Sequence, residues 1–311
     1  MNRSLLTALT AALGLLAGGC FTGVESTPRI KADGRNSVAD APRTAEETFL
    51  SGIRPTPPSQ WAPGKEFVVT DNKIGRIFSP AEDENLPRRG SLLRFVRIDS
   101  TASLTGDPAL AIVLRDDLGD HSYRLPSADS RRFDSLAVLN IPFVIDRDIV
   151  HGVDSLLRGR RLFVRTPQWY STDGTREAVR GLRHIEVRVD SVVPGTDQFP
   201  AAICFTAIDN GRTGMLLINL TGDRADSRPF AAMFSLENPR KQYPEIKDDV
   251  WALITQSRVR EGMSRDECRL ALGQPDQIVR TPTYGGMREH WRYSDGLYLV
   301  FDDGYLTSFR L

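Results

Sequence analysis

Two groups of residues have side chains that could do chemistry, and neither forms a complete catalytic set. Cys204 and His184 lie in one stretch of the chain and could supply a thiolate and its general base. Asp146 and Asp148, together with His151, form the nearest thing to a second polar cluster. A buried thiol explains Cys204, and a helix start with acids near its positive end explains the acidic pair. The sequence therefore predicts no enzyme, with a hydrolase that uses Cys204 and His184 as the alternative.

The cysteines and histidines do not suggest a metal site or a cofactor. The chain has three cysteines and four histidines, without a CxxC or HExxH spacing. Cys204 and Cys268 both lie in apolar runs, so we expect free, buried thiols, with a long-range disulfide as the alternative. No metal ligand and no cofactor-binding residue is predicted.

The third cysteine, Cys20, has the clearest chemical context. It follows an arginine, an apolar stretch over 5–16 and the small residues 17–19. This apolar stretch is shorter than the about 20 residues that span a bilayer as a helix, so it indicates an export signal. The segment resembles the lipobox of bacterial lipoproteins. The resemblance implies a signal peptide over 1–19 and a lipid on Cys20, a diacylglycerol plus an acyl chain such as palmitate. An ordinary secretory peptide is the alternative.

The residues after Cys20 and the charge balance predict where the chain lies and what it avoids. Phe21 stands where inner-membrane lipoproteins carry Asp, and no acidic run follows, which favours the outer membrane and its periplasmic face. Lys plus Arg and Asp plus Glu both number 40, with a pI near 6.9. This balance argues against a nucleic-acid partner.

Residues 20–60 are predicted to be a flexible tether behind the lipid. The stretch 21–43 is polar and lacks periodicity, and a Pro-rich connector follows near residue 60. Thr44 with Glu47 has the spacing of a capping box, which predicts a short helix inside the tether.

An internal repeat organises the middle of the chain. Three blocks recur in the same order at an offset of about 91 to 96 residues: 64–70 with 159–166, 95–100 with 186–191, and 108–116 with 200–209. Each copy has short runs rich in Val, Ile and Phe, separated by turn residues. We expect two small β-barrel-like repeats of the SH3-like kind, over 61–130 and 159–240, with a connector over 131–158 that contains a strand and a helix.

The region 241–311 has a different pattern, in which two helices precede three strands. A capping box at Ser264 and Glu267, a helix stop at Gly273 and a hairpin turn at Asp303–Gly304 mark its elements. The motifs are Gly262–Glu267, Leu272–Pro275, Trp291–Tyr293 and Phe301–Gly304. In this order they resemble the BamE-like (SmpA/OmlA) domain of outer-membrane lipoproteins, which implies an ααβββ fold and a protein-interaction role.

The complete sequence predicts an α+β, mostly β protein that acts without catalysis. We expect a lipid-anchored interaction or scaffold module of the cell envelope, attached to the membrane through Cys20 and bound to another envelope protein in outer-membrane assembly or maintenance. An envelope-polymer hydrolase and a small-molecule or glycan receptor are the alternatives. The aromatic residues Trp251, Trp291 and Tyr293 are expected in the core, with a binding patch as their alternative.

Overall fold

The computed structural model describes residues 43–78, 86–102, 106, 108–220 and 228–310. This part of the chain has an α+β fold that is mostly β, as predicted, and its strands form three antiparallel sheets. The predicted signal peptide 1–19 and the predicted lipid-bearing residue Cys20 lie outside the described residues.

Sixteen strands and six α-helices make up the described part of the chain. The strands are β1 Glu66–Val69, β2 Leu92–Ala102, β3 Pro108–Arg115, β4 Asp120–Arg124, β5 Val144–Asp146, β6 Arg161–Val164, β7 Gln168–Tyr170, β8 Ala178–Arg180, β9 Ile185–Pro194, β10 Ala201–Ala207, β11 Thr213–Ile218, β12 Phe234–Ser235, β13 Gln277–Thr283, β14 Gly286–Arg292, β15 Tyr298–Asp302 and β16 Tyr305–Arg310. The helices are α1 Ala45–Thr48, α2 Ser127–Arg131, α3 Arg147–Leu157, α4 Phe230–Met233, α5 Asp248–Thr255 and α6 Arg265–Leu272.

The first sheet has five strands in the order β4-β3-β2-β1-β5. β1 is an interior strand, because it pairs with β2 on one side and with the edge strand β5 on the other. Alternate residues along β1 and at the start of β2 are buried, as in strands with one face toward a core. That face packs Phe67, Leu93, Phe95 and Ile112 around Trp61.

The second sheet has seven strands in the order β12-β6-β9-β10-β11-β7-β8. β6 pairs with β9 and with β12, again in antiparallel register. The rings of Trp169 and Phe205 lie 5.0 Å apart in its core, and that of Phe234 lies 6.0 Å from Phe205. Val153 and Leu157 of α3 are fully buried in the same core.

The third sheet has four strands in the order β13-β14-β15-β16, and α5 and α6 pack against one of its faces. Trp291 and Phe301, with ring centroids 4.5 Å apart, contact Cys268 and Ala271 of α6 in this core. The sheet has one strand more than the three predicted. The turn at Asp303–Gly304 divides the last apolar run into β15 and β16, so the predicted hairpin signal is present while the strand count was wrong.

Two capping boxes predicted from sequence are present. The Ser264 side chain accepts a hydrogen bond from the Glu267 amide, and the Glu267 carboxylate accepts one from the Ser264 amide, 2.7 Å away. Thr44 and Glu47 make the same pair of bonds at α1. Each box satisfies amides that the first turn of a helix leaves without partners, which fixes where α1 and α6 begin.

The segment that contains α1 packs against the second sheet, although it precedes the first sheet in the chain. Leu50 is buried in the core of the second sheet, and the Phe49 ring stacks on Phe230 at 5.1 Å. The Glu46 carboxylate accepts hydrogen bonds from Ser235 Oγ and the Leu236 amide, at 3.3 and 3.2 Å. Residues from 44 onward, which the sequence analysis assigned to the tether, therefore belong to the folded part.

Candidate functional site

The structure places Cys204 and His184 far apart. Cys204 lies on β10 beside Ser191 of β9, whereas His184 directly precedes β9. About seven residues of strand separate Ser191 from His184, which is roughly 23 Å at about 3.3 Å per residue. Burial raises the pKa of the Cys204 thiol. His184 Nε2 instead lies 3.2 Å from the carbonyl oxygen of Leu270. The thiol and the imidazole that the hydrolase alternative requires are therefore not assembled.

The acidic cluster of the connector marks the start of α3, as the sequence analysis favoured. Asp146 is the N-cap and accepts a hydrogen bond from the Asp148 amide at 3.0 Å. Lys65, which precedes β1 and is buried, donates to both carboxylates, at 2.9 and 2.5 Å. Burial alone would lower the pKa of Lys65, but its hydrogen bonds to the two acids outweigh this and raise it. The cluster ties β1 to α3, because Lys65 beside β1 bonds both acids at the start of the helix. His151 is exposed.

Both cysteines of the described region are free thiols, as predicted. Cys268 is buried on α6, and burial raises the pKa of its thiol to about 12. Cys204 is half-buried, and its pKa is also raised by burial. Neither thiol has the lowered pKa of a nucleophilic cysteine.

The three aromatic residues considered for a partner surface are largely enclosed. Trp291 is fully buried, and Trp251 and Tyr293 pack against the same third core. The Tyr293 hydroxyl donates to the carbonyl oxygen of Gly273 at 3.2 Å. The Trp251 ring lies 5.9 Å from that of His184, where the second and third sheets meet. These side chains hold the C-terminal region together, in agreement with the core prediction.

A buried carboxylate that sequence reasoning missed lies at the centre of the third sheet. Glu289 on β14 is 2% exposed and accepts hydrogen bonds from Arg265, Arg280 and the indole of Trp291, at 2.6, 3.2 and 3.0 Å. Burial alone would raise its pKa, but these donors and the two guanidinium charges lower it. The signal was available, because Glu289 and Trp291 are alternate residues of one strand and so share its buried face.

The exposed large hydrophobic side chains are concentrated in the C-terminal region. The described residues include seven of them, and the four of the C-terminal region are Val279, Tyr284, Met287 and Tyr305. Single exposed hydrophobic residues are common on any protein surface, whereas a cluster often marks an interaction site. The third sheet and its turns therefore carry most of the exposed large hydrophobic side chains of the described residues.

Three of these residues lie at the same end of the third sheet, and we call them together the hairpin tips: Tyr284, Met287 and Tyr305. Tyr284 and Gly285 join β13 to β14, and Tyr284 is fully exposed. The neighbouring turn contains Asp303 and Gly304, which adopt positive φ angles of 50° and 91°, as two-residue hairpin turns require.

Hydrogen bonds join these two turns. The Met287 amide donates to Asp303 Oδ1 at 3.0 Å, and the Asp303 amide donates to the Met287 carbonyl oxygen at 3.1 Å. This exchange holds the two hairpins side by side. The sequence around Tyr284, a tyrosine followed by two glycines between strand-like runs, could have suggested an exposed turn.

A shallow notch adjoins Tyr305. It is lined by the first turn of α6 and by the β15–β16 turn, including Arg265 and Arg269. Arg265 donates to Glu289, and Arg269 donates to Asp266 and lies 4.6 Å from the centre of the Trp291 ring. The hairpin tips thus combine tyrosine and methionine side chains with arginines, residue types that are enriched at protein interfaces.

Other kinds of site find less support in the part of the chain that the structure describes. Its His, Cys, Asp and Glu side chains form no group of three that could hold a metal ion. Among the described helices, none is long and apolar enough to cross a membrane.

Comparisons of the chain with protein-family models, with curated proteins and with solved structures found no match.

Proposed function

We propose that this chain is a lipid-anchored protein of the bacterial cell envelope that acts as a non-catalytic interaction or scaffold module. Its lipid is on Cys20, its place is the periplasmic face of the outer membrane, and its partner is another envelope protein. Its role is in outer-membrane assembly or maintenance. The lipobox-like segment 1–20 supports the anchor.

The observation that carries the interaction role is the exposure of three large side chains at the hairpin tips. Tyr284, Met287 and Tyr305 expose apolar surface at one end of the third sheet. Exposing such side chains in water is unfavourable by roughly 25 cal/mol per Å² of apolar surface, so a partner that covers them gains binding energy. We therefore assign this end of the third sheet as the main protein-binding surface.

We further propose that the first two sheets are copies of one SH3-like unit. In each sheet the first strand of the copy, β1 or β6, lies between the second and the last strand. A meander of three strands follows in both, β2-β3-β4 and β9-β10-β11, and the pair β7-β8 is added only in the second. The common strand order supports the repeat that the three sequence blocks predict.

We also propose that 241–311 is a BamE-like domain. The support is local and consists of four features of the motif: the capping box at Ser264, the helix stop at Gly273, the buried Trp291 and the turn at Asp303–Gly304. These residues set the fold and carry no chemistry, which agrees with a binding role.

Site-specific crosslinking in whole cells tests the interaction role. A photoreactive amino acid at position 284 should recover a defined envelope protein, and Met287→Ser with Tyr305→Ser should reduce that yield about tenfold, because the apolar contact area is lost. The matched controls are a probe at position 118, since Leu118 is an exposed apolar residue in the turn between β3 and β4, and Leu118→Ser in the chain that carries the probe at 284, which should leave the yield unchanged. Equal recovery of that protein from both positions would contradict the proposal.

The anchor has its own test. The Cys20→Ala protein should appear in the soluble periplasmic fraction, because the acyl chains supply the membrane attachment at about 0.8 kcal/mol per buried methylene group. Continued pelleting of Cys20→Ala with the outer membrane would refute lipid anchoring without bearing on the hairpin tips.

A further inference from the structure

The third sheet has a second face that no other described element covers. Trp291, Leu299 and Phe301 point into the core under α5 and α6, so the alternate residues of β14 and β15 point outward. This outer face is distinct from the hairpin tips, which lie at one end of the sheet.

A row of three side chains crosses this face at the end away from the hairpin tips. Arg292 of β14 pairs with Tyr298 of β15, which pairs in turn with Arg310 of β16. Directly opposite residues in antiparallel strands have Cα atoms about 5 Å apart, so the two arginines start about 10 Å apart with the tyrosine between them. We call this set the Arg–Tyr–Arg row.

The two arginines of the row lack acidic partners. In the part of the chain that the structure describes, neither Arg292 nor Arg310 makes an ion pair, and both are exposed. The contrast is Arg288 on the same face, whose guanidinium donates to both carboxylate oxygens of Asp302, at 2.7 and 3.2 Å. The row thus presents two cations whose charge the sheet itself does not neutralise.

The tyrosine of the row is held in place. The His290 ring shares a hydrogen bond with the Tyr298 hydroxyl, and the Arg292 guanidinium lies 6.0 Å from the centre of the Tyr298 ring. An ordered aromatic side chain between two guanidinium groups loses little conformational entropy when a ligand binds. The row is therefore suited to an extended ligand that carries more than one negative charge.

We propose that the Arg–Tyr–Arg row binds an acidic, extended peptide segment of the partner protein, with carboxylates on the arginines and the backbone over Tyr298. This inference rests on the proposed interaction role and names the chemistry of the partner. Alternate residues of an extended chain share one face at a spacing of about 7 Å, so acids two to four residues apart can reach both guanidinium groups. Arginine binds carboxylates through paired hydrogen bonds, which supplies both strength and orientation.

Two other occupants fit the row less well. A second copy of this chain that packed through the same face would bring the arginines of the two copies together, and like charges repel. An anionic bilayer favours basic residues combined with inserted apolar side chains. Tyr298 is half-buried, and the most exposed apolar side chain, Tyr284, lies at the opposite end of the sheet.

Fluorescence anisotropy with the full chain in detergent tests the proposal. The probe is a labelled peptide of about twelve residues in which Glu alternates with Ser, so that its carboxylates share one face. The matched peptide has Gln at every Glu position. At low ionic strength the Glu peptide should bind, and Arg292→Gln with Arg310→Gln should weaken binding about tenfold or more. The control pair Arg76→Gln with Arg258→Gln replaces two exposed arginines that make no ion pair with any described residue, and it should bind like the unchanged chain.

Three results would overturn the inference. The first is equal binding of the Glu and Gln peptides, and the second is an equal loss of affinity for the Glu peptide in the control pair. The third is an unchanged affinity for the Glu peptide in the Arg292→Gln, Arg310→Gln chain when its Tm is also unchanged. A fourth decides between peptide and lipid: Cys20→Ala protein that binds phosphatidylglycerol vesicles through these arginines, but not the Glu peptide, places a lipid there. Crosslinking from position 284 would still recover a partner in each case if the proposed function holds.

Discussion

A buried carboxylate lowers the stability of a protein core unless hydrogen-bond donors surround it, so we expect the donors around Glu289 to contribute to folding. Glu289→Ala should lower the free energy of unfolding by about 2 kcal/mol, because it leaves the Trp291 indole and two guanidinium groups without their acceptor. Urea denaturation at neutral pH measures the effect. Glu261→Ala, an exposed acid of the same region without an ion pair, is the control and should change little. An equal effect in both variants would show that the network contributes nothing.

The same carboxylate predicts a pH dependence of definite sign. Its pKa in the folded protein is lowered from the ordinary value of 4.5. Its ionic contribution is therefore complete above pH 4.5 and is lost as the pH falls through the lowered folded-state pKa. The difference in unfolding free energy between the unchanged chain and Glu289→Gln should shrink over that window. A difference that stays constant down to pH 3 would contradict this assignment.

His184 predicts a pH dependence in a higher window. Burial, with the charge of Arg183, lowers the pKa of His184 to about 4 from 6.5. Between pH 6.5 and 4 the imidazole of residue 184 binds a proton in the unfolded chain but stays neutral in the folded chain. The free energy of unfolding should therefore fall as the pH drops from 6.5 towards 4. His184→Asn should reduce this slope, because asparagine tolerates the positive φ of 56° at this position and does not titrate. Exposed His151→Asn is the control, and an identical slope in both variants would disprove the effect.

Side-chain chemistry was predictable from the sequence only where a short motif fixed it. Both capping boxes and the Asp146 helix start are local patterns, and all are present. The separation of Cys204 from His184 was not predictable, because nearness in the chain does not tell which end of a strand a residue occupies. The burial of Glu289 follows from its alternation with Trp291 only once it is known that α6 covers that face of the sheet.

At the scale of elements, the loop between β9 and β10 joins the first two sheets through one residue. Asp197 accepts hydrogen bonds from the Thr70 hydroxyl and from the Phe143 amide, the latter at 2.7 Å. Phe143 has a positive φ of 64°, a conformation that is strained for a bulky residue and needs support from its surroundings.

Asp197→Ala should therefore lower the free energy of unfolding by about 1 to 2 kcal/mol, since the Phe143 amide loses its acceptor. Thermal denaturation followed by circular dichroism measures the effect. Asp209→Ala, an exposed acid in the turn between β10 and β11, should change stability much less. If both variants unfold at the same temperature, this contact does not support the junction between the sheets.

The sequence predicted most of the elements themselves. Most strand runs of both proposed copies, the helix of the connector and the two C-terminal helices are present, because each has a clear period and a start or stop signal. The strand predicted over 74–78 in the first copy was wrong, because residues Asn72–Arg76 form a 3-10 helix. The strands β7 and β8 were not predicted, since each has only three residues and β7 joins the sheet by pairing with the distant strand β11. The last apolar run was predicted as one strand, and the turn at Asp303–Gly304 divides it into β15 and β16.

At the scale of the whole molecule, the order of elements along the chain does not give their arrangement. The polar composition of 21–60 predicted a tether, yet α1 and the residues after it pack on the second sheet. Leu50 and Glu46 are single residues within a polar stretch, so periodicity could not reveal that they contact a core formed about 110 to 190 residues later in the chain. Contacts this distant in sequence are decided by packing.

This arrangement predicts that the segment around α1 stabilises the second sheet and not the first. A chain that begins at residue 55 should be less stable than one that begins at residue 43 by about 3 kcal/mol, because it loses the burial of Leu50, the Phe49–Phe230 stack and the hydrogen bonds to Glu46. Hydrogen exchange should locate the loss in β6, β9 and β12, with β2 and β3 unchanged. Leu50→Ser in the longer chain should reproduce the effect, and Leu118→Ser should not. Uniform loss of protection across both sheets would contradict it.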